Sequence, residues 1–70
     1  MSRTTLTRKA NQAIRAAYQG STAQIDRLEN DHGMGLSSIL DELWAAAEER
    51  GLVDLAGRLG RAYGHLTGAA

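Results

Sequence analysis

The chain has no cysteine, no proline and no phenylalanine, and its only aromatic residues are Tyr18, Trp44 and Tyr63. The absence of cysteine excludes disulfides and thiolate metal sites. Two isolated histidines, His32 and His65, do not make a metal site either. No apolar run approaches the length of a membrane span. No apolar stretch follows Met1-Ser2-Arg3-Thr4-Thr5, so a secretory signal is not expected, and the missing cysteine fits a cytoplasmic protein. No nucleophile, base and orienting group occur together, and there is no glycine-rich phosphate loop with its lysine. Catalysis, a metal and a cofactor are therefore not expected.

Seventy residues make a single domain, 1–70, with one small core. Disulfide and metal being unavailable, self-association is the expected way to complete that core, so the chain is expected to form a homodimer. β-Branched residues are sparse, alternating patterns are absent, and alanine and leucine are abundant. The fold class is all-α.

What is present is a charge pattern hidden under a net charge of zero. Residues 1–20 carry Arg3, Arg8, Lys9 and Arg15 and no acid. Residues 21–54 carry eight acids against Arg27 and Arg50, and Arg58 and Arg61 follow. Separated blocks of this kind suit complementary protein contacts better than affinity for a polyanion. Nucleic-acid binding is disfavoured on the same ground, because it scales with the number of phosphates neutralised.

The apolar pattern predicts three helices, near 5–31, 36–50 and 53–66. In the first, Leu6, Ala17 and Leu28 are spaced by eleven, as are Ile14 and Ile25, which is about three helical turns. Thr4 or Thr5 can cap it. The stripe keeps its phase through Gln19-Gly20-Ser21-Thr22, favouring one long helix. The competing reading is a break, with Gly20 ending one helix and Ser21 and Gln24 forming a capping box for the next. His32-Gly33-Met34-Gly35 is the clearest turn. In the second helix Ser38 and Asp41 have capping-box spacing. Leu36, Ile39, Leu40, Leu43, Trp44, Ala46 and Ala47 form its apolar face, opposite Asp41, Glu42, Ala45, Glu48 and Glu49. Gly51 is placed to end it, with Leu52 packing back. The third helix aligns Leu52, Leu55, Ala56, Leu59, Tyr63 and Leu66, and beside them a row of Gly57, Gly60, Gly64 and Gly68. Such a row calls for close packing or for fraying. The tail Thr67–Ala70 is expected to be unstructured.

These expectations assemble into a long N-terminal helix and two shorter ones, a helical hairpin completed by a second copy. The residues assigned to core or dimer contact are Leu6, Ile14, Ile25, Leu28, Leu40, Leu43, Trp44, Leu59 and Tyr63. The residues assigned to a partner are Arg8 and Arg15, two turns apart on one polar face, Tyr18 on the rim of the apolar stripe, and Arg58 and Arg61 on the last helix.

Two resemblances add partner classes. Ser37-Ser38-Ile39-Leu40-Asp41 is similar to the S-x-x-L-D signature of the small sporulation-type aspartyl-phosphate phosphatases, which are helical hairpins acting on response regulators. That likeness implies a phosphatase, although Ser38 as a helix cap explains the residues without chemistry. The length, the helical layout with its Gly33-Met34-Gly35 turn, and Gly60-Arg61-Ala62-Tyr63-Gly64-His65 resemble the small helical inhibitors encoded by temperate phages, such as the quorum-sensing anti-activator of a Pseudomonas phage. This second resemblance implies an inhibitor that binds a host protein, for example a transcriptional activator. A small DNA-binding regulator is the remaining alternative.

Overall fold

The computed structural model describes residues 1–68, and within them every regular element is a helix: α1 (Arg3–Gln19), α2 (Thr22–His32), α3 (Leu36–Glu49) and α4 (Val53–Thr67). The all-α expectation holds, but the described residues form four helices rather than three. The single long helix over 5–31 is corrected to α1 and α2, broken at Gly20. A capping box starts α2. Ser21 Oγ accepts the Gln24 N–H at 3.3 Å, and Gln24 Oε1 accepts the Ser21 N–H at 2.9 Å. Two donors that a helix start leaves without partners are thereby satisfied. At Gly20 the backbone is extended, with ψ 137°. A Cβ there would lie 2.6 Å from the Ala16 carbonyl oxygen, so only glycine fits this corner.

Other boundaries also shift. Ser2, not Thr4 or Thr5, caps α1, accepting the Thr5 N–H at 3.1 Å. The turn after α2 falls where expected, with Gly33 in the left-handed region at φ 70°. The expected Ser38–Asp41 box does not form, because α3 already begins at Leu36. Its cap comes from α2: Glu29 Oε2 accepts the Leu36 N–H at 2.8 Å. Gly51 (φ 68°) closes α3, and the Leu52 N–H returns to the Ala47 carbonyl at 3.0 Å. Thr67 ends α4 and Gly68 caps it at φ 73°, so the expected unstructured tail is corrected at these two residues. Ala69 and Ala70 lie outside the described residues.

Helices α3 and α4 form the most extensive pair, α1 lies across both, and α2 packs against α1 and α3. Among the described residues the buried cluster has thirteen members, and six of them are alanines: Ala10, Ala13, Ala16, Ala47, Ala56 and Ala62. Alanine at these contacts lets helix axes approach closely but contributes little apolar area. The large, fully buried side chains are Leu6, Ile39, Leu40 and Leu59. Leu43 is also buried, whereas Ile14, Ile25, Leu28, Trp44 and Tyr63 are half-buried at the edge of the cluster. The helix α2 buries no residue completely. The break therefore leaves no apolar stripe running the length of one long helix. Leu6, Ala10 and Ala13 are covered within one chain.

Candidate protein-binding surfaces

Two surfaces stand out. The first is a groove of about 840 Å³ between α3 and α4, closed at one end by α1. Its floor is the face of α4 that carries Gly57, Gly60 and Gly64. The wall from α3 is Trp44, whose indole lies against Gly60: a Cβ at Gly60 would meet Trp44 Cζ2 at 3.0 Å. Trp44 also packs on Tyr63, with ring centroids 6.3 Å apart. At one end Tyr18 stacks on His65 at 4.5 Å. At the other end Val53 is 78% exposed. Glu48 and Arg61 line its rim.

The second surface is the outer face of α1. Arg3, Arg8 and Arg15 border a polar hollow of about 620 Å³ with Thr4, Thr7, Asn11 and Gln12, and no acid lines it. Arg58 joins this face from α4, donating from Nη2 to Asn11 Oδ1 at 2.9 Å. Asn11 thus orients one guanidinium and ties α4 to α1. Arg50 also has a structural role. It donates to the Met1 carbonyl at 2.8 Å and to the Ala46 carbonyl at 3.2 Å, joining the N-terminus to the end of α3. The acids of α3, Asp41, Glu42, Glu48 and Glu49, are all exposed on its outer side. The charge blocks read from the sequence thus become separate faces of the folded chain.

The residues assigned to a partner do not form one patch. Arg8 and Arg15 share the basic face, and Arg58 reaches it through Asn11. Tyr18 and Arg61 line the groove instead. Val53 and Gly57 were missed as surface features. Val53 has a helix-start position that reads as ordinary, and only its 78% exposure distinguishes it. The phosphatase-like segment opens α3. Leu40 is fully buried, while Ser37, Ser38 and Asp41 line a shallow hollow with Glu42 and Tyr63. Among the described residues no helix is long and apolar enough to cross a membrane, and no three His, Cys, Asp or Glu side chains come together to hold a metal ion.

No known protein family, no curated protein and no solved structure matches the chain.

Proposed function

We propose that this chain is a small non-enzymatic binding protein that inhibits a regulatory protein by occupying one of its surfaces, with the outer face of α1 as the docking surface. The observation that carries this reading is the composition of that face. Arg3, Arg8 and Arg15 stand together with Thr4, Thr7, Asn11 and Gln12, without a carboxylate among them. Arg3 and Arg8 border no acid in this hollow, and Arg15 also borders a neighbouring hollow with Arg27 and Asp31; their guanidinium groups suit bidentate contacts to carboxylates of a partner. The partner surface is accordingly acidic. The resemblance to phage-encoded inhibitors supports a host regulator, such as a transcriptional activator, as the partner class. A partner of that kind acts in the cytoplasm, and the inhibitor with it.

The test begins with affinity capture from extracts of the natural host, followed by binding measurements on the purified pair. Arg8→Glu combined with Arg15→Glu is expected to lower affinity at least tenfold and to flatten its salt dependence, with circular dichroism unchanged. Unchanged affinity in a folded variant would rule out this face. One feature favours a second reading, a small DNA-binding regulator: the arginines and Gln12 on the exposed face of α1 are side-chain types that read base edges. That reading requires wild-type protein to shift duplex DNA with a steep loss at higher salt. The phosphatase reading requires that Asp41→Ala abolish aspartyl-phosphate removal while binding persists.

A further inference from the structure

We infer that the groove on α4 is the site at which a second copy of this chain docks, with the two α4 helices antiparallel about a twofold axis. Among the described residues three large hydrophobic side chains are exposed, Met1, Tyr18 and Val53, and two of them, Tyr18 and Val53, line this one groove. Its floor is incompletely used by its own chain. At Gly57 a Cβ would be in ordinary contact with the flexible Arg61 guanidinium at 3.6 Å and with nothing else. Alanine would therefore fit there and favour the helix, so packing inside the chain does not explain Gly57. Close approach from outside does.

The pattern along α4 selects the occupant. Val53, Gly57, Gly60 and Gly64 recur at helical spacing and form one face. Antiparallel pairing about the midpoint of this face sets Val53 of each copy over Gly64 of the other, and Gly57 over the Trp44 indole that covers Gly60. A protruding Val53 side chain meets a glycine, which has none, twice, as an isologous interface requires. The flank away from α3 carries Asp54 and Arg61, seven residues apart. The same pairing brings Asp54 of one copy beside Arg61 of the other, with His65 of that copy one turn further. The charge pattern is thus complementary to itself. A helix from a different protein would need this sequence of shape and charge in reverse, and the second copy supplies it. The groove and the basic hollow on α1 have no lining residue in common, so dimer formation leaves the α1 face open.

The test is sedimentation equilibrium of the full chain over a concentration series. Wild type is expected to follow a monomer–dimer equilibrium. Gly57→Leu, which fills the groove without burying a polar group, is expected to be monomeric and at least as helical as wild type. Asp54→Arg alone and Arg61→Asp alone are each expected to raise the dimer dissociation constant about tenfold, since each affects two symmetry-related pairs. The double exchange is expected to restore wild-type association. Wild type that stays monomeric throughout overturns the proposal and leaves the groove to a heterologous helix. Dimers that survive Gly57→Leu, or a double exchange that restores nothing, show that another face pairs and overturn it equally. None of these outcomes bears on the Arg8 and Arg15 experiment.

Discussion

The indole of Trp44 rests directly on the backbone of Gly60, so close that a Cβ there would stand 3.0 Å from Cζ2. Trp44 is only half-buried, and Gly60 is what lets it lie flat between α3 and α4. Gly57, one turn earlier, has no such neighbour. The two glycines should respond oppositely to substitution. At concentrations where the chain is monomeric, Gly57→Ala is expected to stabilise it by about 0.5–1 kcal/mol, through helix propensity. Gly60→Leu is expected to destabilise it by about 1–3 kcal/mol, because the larger side chain displaces the indole. Urea unfolding followed by tryptophan fluorescence reads both effects. Displacement of Trp44 also predicts a red shift of the native emission in the Gly60 variant only.

The corner between α1 and α2 rests on Gly20 and on the reciprocal bonds of Ser21 and Gln24. Ser21→Ala removes a helix cap and is expected to cost about 1 kcal/mol. Gly20→Ala is expected to cost more, because its Cβ meets backbone atoms of Ala16 rather than a movable side chain. Chemical denaturation of the two variants checks the order. A Gly20→Ala protein as stable as wild type would mean that the corner is not held as described.

Glu29 joins α2 to α3 by capping a helix to which it does not belong. Its carboxylate accepts the Leu36 N–H at 2.8 Å, and its main-chain carbonyl accepts the Gly33 N–H at the same distance. Glu29→Ala is expected to cost about 1–2 kcal/mol, since Gly35 at the cap position has no side chain to replace it. Ser38→Ala, by contrast, is expected to change stability little, because Ser38 is exposed and caps nothing. Equal losses in the two variants would contradict the assignment of the cap to Glu29.

With so many alanines in the core, a few large side chains carry most of the apolar burial. Leu40→Ala and Leu59→Ala are each expected to cost about 2–5 kcal/mol. A chain of this length has roughly 4–10 kcal/mol of total stability, so either variant should be largely unfolded on heating well below the wild-type transition. Leu28→Ala is expected to cost visibly less, because Leu28 is half-buried on α2, which buries no residue completely. Thermal melts by circular dichroism give the comparison.

Much of the fold was legible in one dimension because it follows from local chemistry. The apolar face of α3, from Leu36 to Ala47, depends only on helical periodicity. So do the Gly33 turn and the Gly51 stop, where backbone conformation selects the residue. The charge blocks were equally plain, and folding turned them into a basic α1 face and an acidic α3 face without rearranging them. The break at Gly20 was not decided by periodicity, because the stripe keeps its phase across it. The local pattern favours the continuous helix while also permitting the capped corner. The balance was tipped by what lies far away in sequence: α3 and α4 cover Leu6, Ala10 and Ala13, and the corner lets Ile25 and Leu28 of α2 pack at the edge of the same cluster. The same holds for Glu29 as the cap of α3, for Arg58 on Asn11, and for the groove itself. A row of glycines in α4 announces close approach but not by whom. Only the tertiary structure shows that Trp44 uses Gly60 and leaves Gly57 open, since that depends on how two helices cross rather than on the residues of either one.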